Sequence, residues 1–502
     1  MTRLLPAVVV VCLVAPLGAA PVMALPASAP AIGLDELAAM YKSELGDLFK
    51  PELTDRVRQA HEHIERYFAA TSRQDRAAAV QALEASGLNP NLLGRLTRLR
   101  MHWPALEGGV YYINEKIGPH QVMYFLGIPK AYDRSRPWPL VVKLPASDAL
   151  FADPPPDGQR VADMYAGWLK DEIARHPDVI TLMPRLNLGE LYGPSQAGMN
   201  TVIQPILHVA GKVNIDPARL YLHGHSLAAH AVWNLALNYT THFAAINPLA
   251  GSAHADWQRL RSMNLRNTTA IVWHDADDKA VPVAEARDLV RILKSFGCPV
   301  DYEETKLIGH VPSAAIADRA YDKMLKAARD LYPPQLALQS NRPETMFNRV
   351  DWLQVYQPMR TGAEKRLRFA KGSGHMTVYE YTFRATVRTA SPNHVEVLTD
   401  NVLALRLYFN DRLVDLDKPV TVKINNRVRH EGLLKPSIDE MLKDQVFLGR
   451  GWRYFTAVLD IDILEPARPA TTSSSRPATR KGVIEVYPAP GSDDKVRRIE
   501  TP

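Results

Sequence analysis

The sequence predicts an α/β protein: a doubly wound, mostly parallel sheet with an N-terminal helical segment and a C-terminal β-sandwich-like domain. Three observations lead to this fold class. Between residues 109 and 334, short apolar strands alternate with longer helical stretches, which is typical of a parallel sheet covered on both faces. Residues 25–108 show helical periodicity, and residues 335–465 alternate with a period of two.

The N-terminal segment predicts helices over residues 34–49 and 54–70, the second one beginning near an N-cap-like Thr54. The triplet Asn89-Pro90-Asn91 is expected to interrupt the helical pattern. No catalytic pattern occurs in this segment. We interpret residues 25–108 as a helical prodomain or cap.

The central segment begins with a predicted hairpin, because residues 109–128 alternate on both sides of Gly118-Pro119. Further strands are predicted at residues 140–144, 179–183, 220–223, 243–247, 270–274 and 300–305. Helices are predicted at residues 199–211, 227–239, 283–296 and 314–331. Together these elements predict one catalytic-type domain over residues 109–334.

The C-terminal segment predicts strands within residues 377–389, 394–399, 401–409 and 419–428, the last with a turn at Asn425-Asn426. We expect a β-rich accessory domain over residues 335–465. The composition then becomes rich in proline, serine and arginine, which cannot form a buried core. Residues 466–502 are therefore expected to be a disordered tail.

The first 24 residues predict a secretory signal peptide. Arg3 supplies the positive start, Leu4–Leu17 the apolar stretch, and Val22-Met23-Ala24 a small-x-small cleavage site. The apolar stretch contains two prolines and is short for a membrane span, so no stable span is expected once the signal is removed. The expected location is secreted or periplasmic. An uncleaved N-terminal anchor is the alternative.

Composition limits the remaining possibilities. Apolar residues form 46% of the chain and charged residues 23%, and a net charge of +6 without a long basic run does not predict a nucleic-acid partner. The two cysteines are Cys12 and Cys298, and Cys12 lies in the signal segment. One remaining cysteine cannot form an internal disulfide, and we expect Cys298 to be buried and unreactive.

The motif with the strongest chemical content is His223-Gly224-His225-Ser226-Leu227-Ala228, where a predicted strand meets a predicted helix. This strand–turn–helix context is that of a nucleophile elbow, in which small residues on both sides of the serine let strand and helix approach closely. Ser226 is therefore the candidate nucleophile. The alternative is an ordinary helix N-cap, a position that serine also favours.

A serine nucleophile needs a base and a group that orients the base. Asp275, Asp277 and Asp278 follow one predicted strand and compete for the role of the acid. His310 follows the next predicted strand and is the candidate base. In a doubly wound hydrolase sheet, the acid and the histidine follow the serine in this order.

Four stretches resemble the α/β-hydrolase superfamily, in its prolyl-oligopeptidase-like and secreted depolymerase-like esterase branch. They are IPKAYDRSRPWPLVVKLP, NIDPARLYLHGHSLAAHAVW, VWHDADDKAVPVAEAR and IGHVPS, and the resemblance covers less than half of the chain. The family pattern His-Gly-x-x-Asp-x-x-Val-Pro, counted from His274, selects Asp278 as the acid. Asp275 stands where the family has glycine.

One departure from the family concerns the oxyanion hole. The family has Leu-His-Gly after the strand that corresponds to residues 140–144, whereas this chain has Leu144-Pro145-Ala146-Ser147. Pro145 has no N–H to donate. The expected oxyanion donors are the N–H of Leu227 together with that of Ala146 or Ser147. Ala228 is a second departure, since the family has glycine there.

His223, His225 and His230 surround the serine and raise the alternative of a metal site. None has a carboxylate or cysteine nearby at ligand spacing, so we expect no metal and no cofactor. His225, at the variable elbow position, and Trp257, after a predicted loop, are the residues expected to lie next to the substrate.

These patterns predict an exported serine hydrolase of the carboxylesterase type, acting through Ser226, His310, Asp278 and an acyl-enzyme. A prolyl-oligopeptidase-like serine peptidase is the first alternative, although the segment before residue 109 is too short for the propeller that such peptidases usually carry. The second is a hydrolase-fold protein that binds without turnover. The expected substrate is a small molecule, a polysaccharide ester or a peptide, and the oligomeric state stays open.

Overall fold

The structure is a computed structural model of the 502-residue chain. It describes residues 22–25, 32–117, 120–145, 158–185, 196–253, 259–342, 347–368, 375–463, 483–486 and 497–500. The described residues up to 463 belong to one compact unit, and the described residues from 483 onward belong to a second.

The first unit begins with helices whose apolar faces pack together. They are α1 (Leu34–Leu45), α2 (Thr54–Ala69), α3 (Arg73–Ala85) and α4 (Pro90–Leu96). Their shared core includes Tyr41, Ile64 and Leu93. The helical prediction is confirmed, and the helical pattern is interrupted as expected, but the interruption falls at residues 86–89 and Pro90 already begins α4. Asn89 caps α4 by accepting the Asn91 N–H, and Pro90 fits because the first helical residue has no intrahelical partner for its N–H.

An eight-stranded sheet forms the centre of this unit. Its strands are β1 (Gly109–Ile117), β2 (His120–Ile128), β3 (Trp138–Leu144), β4 (Ile180–Pro184), β5 (Ile215–His225), β6 (Ala245–Leu249), β7 (Thr269–Asp275) and β8 (Val300–Thr305). The spatial order is β1-β2-β4-β3-β5-β6-β7-β8. Strand β2 runs antiparallel to its neighbours β1 and β4, and the other neighbouring pairs are parallel. This topology is that of the α/β-hydrolase fold, and the predicted fold class is confirmed.

Helices cover both faces of the sheet. Their bounds are α5 (Gly158–Arg175), α6 (Gln196–Lys212), α7 (Leu227–Asn238), α8 (Val283–Ser295) and α9 (Ala314–Leu325). Helices α6, α7 and α8 pack on one face, and α5 and α9 on the other. Helix α5 is not among the helices predicted from the sequence. The predicted helix over residues 314–331 is too long, because the chain leaves α9 after Leu325 and places Arg329 in a buried ion pair with Asp351.

A short N-terminal stretch lies against the edge strand β1. The Met23 N–H donates to the Val110 carbonyl at 2.9 Å, and the Tyr112 N–H donates to the Met23 carbonyl at 3.0 Å. Met23 belongs to the predicted cleavage site, and residues 1–21 of the predicted signal lie outside the described residues. No helix among the described residues is long and apolar enough to cross a membrane.

The C-terminal part of the first unit is built from two facing sheets. Its strands are β9 (Gln335–Ser340), β10 (Arg349–Val350), β11 (Leu353–Pro358), β12 (Glu364–Arg368), β13 (His375–Tyr379), β14 (Phe383–Ser391), β15 (His394–Asp400), β16 (Val402–Phe409), β17 (Val420–Ile424), β18 (Arg427–Gly432) and β19 (Ala457–Asp462). The sheets β10-β11-β16-β19 and β18-β17-β15-β14-β9 enclose a common apolar core, and β12 pairs with β13. The predicted sandwich is confirmed, with the turn at Asn425-Asn426 in positive φ.

A helix that the sequence analysis did not predict, α10 (Ile438–Leu448), interrupts these strands. Its Ile438, Met441 and Leu442 side chains join the core of the N-terminal helices. In the second unit, β20 (Val483–Val486) pairs with β21 (Arg497–Glu500). The prediction of a disordered tail over residues 466–502 is therefore wrong for these two strands. The β-branched residues within 483–486 favour the extended conformation. The rest of that tail lies outside the described residues.

Candidate active site

Ser226 occupies a sharp turn between β5 and α7. Its backbone has φ 56° and ψ −120°, a positive-φ conformation that non-glycine residues rarely adopt. The Ser226 N–H donates to the Leu249 carbonyl of β6 at 2.9 Å, which ties the turn to the sheet. Although Ser226 precedes α7, its side chain makes no capping hydrogen bond, so it does not serve as a helix N-cap.

Small residues allow this turn to be tight. A Cβ atom on Gly224 would lie 2.8 Å from the backbone carbonyl group of Ala228, and one on Gly251 would lie 2.5 Å from the Cβ of Ala229. Real Cβ atoms do not approach other atoms this closely. The Ala228 methyl group, the departure noted in the sequence, fits because Gly224 has no side chain.

Ser226, His310 and Asp278 form a continuous chain of hydrogen bonds. The Ser226 Oγ lies 2.7 Å from the His310 Nε2, and the His310 Nδ1 lies 2.8 Å from the Asp278 Oδ2. With its proton on Nδ1, the His310 ring donates to the carboxylate and accepts the serine hydroxyl at Nε2. This is the arrangement that lets a histidine take a proton from serine.

Asp278 is held as a charged carboxylate beneath the histidine. Its side chain is buried, and its Oδ1 accepts the N–H groups of Ala280 at 2.8 Å and Val281 at 2.9 Å. Burial alone would raise the pKa of Asp278, but the hydrogen bonds from His310 and these two N–H groups outweigh it and lower that pKa. The carboxylate is therefore ionised and fixed in position at neutral pH.

The two competing aspartates hold the loop of residues 306–313, which bears His310. The Asp275 Oδ2 accepts the Thr305 hydroxyl at 2.7 Å and the Ile308 N–H at 3.2 Å, and the side chain is fully buried. The Asp277 Oδ2 accepts the Leu307 N–H at 2.9 Å. The competition between the three aspartates thus resolves by geometry: Asp278 contacts the imidazole, and the other two contact the backbone.

Two further histidines support the same residues. The His225 Nε2–H donates to the His310 carbonyl at 2.8 Å, and the two rings lie 5.0 Å apart. His274 is fully buried, with its Nε2 2.9 Å from the Val281 carbonyl and 3.3 Å from the Asp278 Oδ2. The sequence predicts only a substrate contact for His225, and the hydrogen bond from His225 to the His310 backbone has no signal in the local sequence.

The oxyanion site is described in part. Leu227 is the first residue of α7, so its N–H has no acceptor within the helix and lies at the positive end of the helix dipole. Ala146 and Ser147, the predicted second donors, lie outside the described residues, as does Trp257. Pro145 is the last described residue after β3 and is buried.

A pocket of about 250 Å³ borders the elbow on the α5 face of the sheet, and its lining includes Pro145, Trp168 and His225. Lys143, also part of the lining, pairs with the buried Glu172 of α5. Burial alone would raise the pKa of Glu172, but the ammonium of Lys143 outweighs it and lowers that pKa. The charges of Lys143 and Glu172 therefore balance each other, and this side of the pocket carries no net charge from the pair.

His223, His225 and His230 do not converge on a metal. Within the described ranges, no group of three or more histidine, cysteine, aspartate or glutamate side chains could hold a metal ion. Burial lowers the pKa of His223 to about 3, with the nearby Lys143 adding to the effect. Cys298 is buried, as expected, and burial raises the pKa of its thiol to about 12.

Comparisons with known proteins find similarity among solved structures. No protein-family model matches the sequence, and no curated protein matches it. Among the solved structures, a thermostable esterase shares 21% identity at a TM-score of 0.37, over 44% of this chain and 63% of the esterase. A protein provisionally described as a dipeptidyl aminopeptidase IV from Bacteroides ovatus shares 13% identity at a TM-score of 0.36, and the match covers 43% of this chain and 36% of that protein.

A ferulic acid esterase shares 13% identity at a TM-score of 0.32, over 43% of this chain and 95% of that one. The chain spans less than two thirds of the length of the first two of these proteins. The fold assignment follows from the strand order and the strand directions given above.

Proposed function

We propose that this protein is an exported serine hydrolase that cleaves carboxylic esters, in the prolyl-oligopeptidase-like or depolymerase-like esterase branch of its fold. The observation that supports the proposal most directly is the chain of hydrogen bonds from Ser226 through His310 to Asp278 at a strained strand-to-helix turn. A positive-φ serine joined to a histidine and a buried carboxylate is costly to maintain without a function.

The reaction follows from these positions. The Ser226 Oγ attacks the ester carbonyl carbon while its proton passes to the His310 Nε2, and Asp278 stabilises the imidazolium that forms. The Leu227 N–H donates to the developing oxyanion, together with an N–H expected from Ala146 or Ser147. His310 then gives the proton to the leaving alcohol oxygen. Water, activated by the same histidine, hydrolyses the acyl-enzyme and regenerates Ser226.

The preference for esters over peptides rests on the part of the chain ahead of the sheet. Residues 32–100 fold into the helices α1–α4, whereas the peptidases of the resembled branch usually carry a β-propeller there. A small helical layer does not supply the chamber with which a propeller selects peptides. We therefore propose a small-molecule or polysaccharide ester as the substrate, and propose secretion or periplasmic export from the apolar N-terminal stretch.

Two measurements test the proposal. A fluorophosphonate probe should label the wild-type protein and fail to label Ser226→Ala, whereas an unlabelled wild type would favour the alternative of a binding protein without turnover. A p-nitrophenyl acyl ester should then turn over faster than a prolyl-amide substrate. Faster cleavage of the amide would instead favour the peptidase alternative.

A further inference from the structure

Among the described residues of the α/β part of the chain, exposed large apolar side chains are confined to the site. Within residues 109–334, the described ones that stay well exposed are Leu227, Leu307, Ile308 and Val311. Each lies within three residues of Ser226 or His310 along the chain. We name these four residues the apolar rim. Scattered exposed leucines are ordinary on a protein surface, but a group restricted to the catalytic loops indicates a binding surface.

Leu307 is the most exposed member of the apolar rim. Its side chain is 91% exposed, and its backbone has φ 65°, a conformation in which leucine is strained. The Leu307 N–H is held by the Asp277 carboxylate at 2.9 Å, so the conformation is built into the loop. Leu307 thus has two unfavourable features, a strained backbone and an apolar side chain in water. Residues that keep such features beside a candidate catalytic base are typical of functional positions.

The chemistry of the base tells which part of an ester meets these side chains. His310 delivers its proton from Nε2 to the oxygen of the leaving alcohol, so that alcohol must lie on the His310 side of Ser226. Leu307, Ile308 and Val311 belong to the loop that bears His310, and they are 91%, 40% and 57% exposed. The acyl group lies on the other side of the reacting carbon.

We propose that the apolar rim binds the alcohol portion of the substrate ester and that this portion is apolar. This inference rests on the proposed function. The substrate class is an ester of an aliphatic or aromatic alcohol with several carbon atoms. This inference narrows the substrates proposed above and sets aside polysaccharide esters, because sugar hydroxyl groups placed against apolar side chains would lose water without gaining hydrogen-bond partners. Leu307 and Val311 act as specificity-determining residues.

The experiment follows kcat/KM for methyl, propyl and pentyl acetates, measured by titration of the released acid. These alcohols have similar leaving-group basicity, so differences in rate report binding of the alkyl chain. Full burial of one methylene group raises kcat/KM about fourfold, and a one-sided surface covers it in part, so we expect an increase of about twofold per methylene. Ethyl esters of lengthening acids should show a smaller increase.

Two isosteric variants test the residues. Leu307→Asn keeps the side-chain shape, suits positive φ and makes the position polar, and Val311→Thr does the same without a strained backbone. Each should lower kcat/KM for pentyl acetate about three- to fivefold and change that for methyl acetate less than twofold. The matched control is Leu433→Asn in the C-terminal sandwich, where a leucine is 59% exposed far along the chain. It should leave all three values unchanged.

The possible failures are distinguishable. Equal rates for the three acetates, or unchanged ratios in both variants, would overturn the assignment of the apolar rim while leaving the esterase intact. Light scattering that finds a wild-type dimer and a Leu307→Asn monomer would also overturn it, by making the rim a subunit interface. Absence of both ester hydrolysis and fluorophosphonate labelling would overturn the proposed function itself.

Discussion

At the scale of single residues, one four-residue stretch divides three carboxylates between two tasks. Asp275 and Asp277 bind backbone N–H groups of the loop of residues 306–313, and Asp278 binds the His310 side chain. The lowered pKa of Asp278, where hydrogen bonds outweigh burial, keeps it an acceptor for the His310 Nδ1–H. The orientation of His310 therefore depends on all three.

Asp278→Asn should abolish most activity without unfolding the protein. An asparagine amide can donate to the His310 Nδ1, which favours the tautomer that cannot accept the serine proton, so kcat for a p-nitrophenyl ester should fall about 10⁴-fold. Asp277→Asn is the matched control, since it alters a backbone contact at the same loop, and it should cost less than tenfold. A loss below tenfold in Asp278→Asn, with normal thermal unfolding, would mean that another group orients His310.

Asp275→Asn tests a positioning residue. An asparagine keeps one acceptor oxygen but cannot satisfy the Thr305 hydroxyl and the backbone N–H groups together, so His310 should become less well placed and kcat about tenfold lower, with KM little changed. In a His310→Ala background the same substitution should cost nothing further. An equal loss in that background would show that Asp275 acts through general stability and not through His310.

The sequence could predict the residues that react with the substrate, but not the contacts that hold those residues in place. Chain order made Ser226, three aspartates and His310 candidates, and the pattern of the resembled family, counted from His274, selected Asp278 among the aspartates. The structure places Ser226, His310 and Asp278 within hydrogen-bonding distance. Contacts such as His225 to the His310 carbonyl join loops that are 85 residues apart. They depend on the exact path of both backbones, which no local pattern encodes.

At the scale of elements, the strand-turn-helix around Ser226 requires glycine where two backbones meet. Gly224→Ala would place a methyl group 2.8 Å from the Ala228 carbonyl group, so β5 and α7 would have to separate. We expect a loss of about 1–3 kcal/mol in the free energy of unfolding and at least a tenfold loss in kcat.

Gly167→Ala is the matched control for this prediction. Gly167 lies on the exposed side of α5, and a methyl group added there would meet open space, so alanine should raise the free energy of unfolding by about 0.5–1 kcal/mol and leave kcat unchanged. Chemical denaturation and ester hydrolysis measure both effects. A Gly224→Ala protein as active and as stable as the wild type would contradict the close packing of the elbow.

The elements that the sequence analysis missed had local signals of their own. In α10, Ser437 accepts the Glu440 N–H at 3.2 Å, and the pair Ser437 and Glu440 has the spacing of a capping box. In α5, Val161, Tyr165 and Leu169 recur at helical spacing and are buried. Helix α10 lies between two segments with strand alternation, so its capping pair is a weak signal against that background. Proline-rich neighbours, residues 153–156, obscured the signal of α5.

At the scale of the whole molecule, buried ion pairs join the α/β sheet to the C-terminal sandwich. Asp351, which is fully buried between β10 and β11, pairs with Arg329 at 2.7 Å and with Arg453 at 3.1 Å. Arg329 also donates to the Phe243 carbonyl next to β6. Removing one partner of a buried pair typically costs about 3–5 kcal/mol, so these parts are expected to unfold together.

The same interface contains a histidine that makes stability depend on pH. His242 donates from Nε2 to the Leu448 carbonyl and stacks on Tyr239. Burial, with a smaller effect from the positive charge of Arg453, lowers its pKa to about 3. The unfolded chain has a histidine pKa near 6.5, so below that pH the unfolded state binds a proton that the folded state excludes. The contribution of His242 to the free energy of unfolding is therefore fully present above about pH 6.5 and decreases steadily as the pH falls towards about 3.

His242→Gln should remove this dependence, because glutamine can still donate to the Leu448 carbonyl and does not titrate. Between pH 7 and pH 5 the wild type should lose about 2 kcal/mol more unfolding free energy than the variant, which corresponds to one proton over about 1.5 pH units. Urea unfolding at pH 5, 6 and 7 measures the difference. His223, whose pKa burial also lowers to about 3, continues to contribute in both proteins and so cancels in the comparison. Parallel stability curves for the two proteins would mean that His242 stays accessible to protons in the folded state.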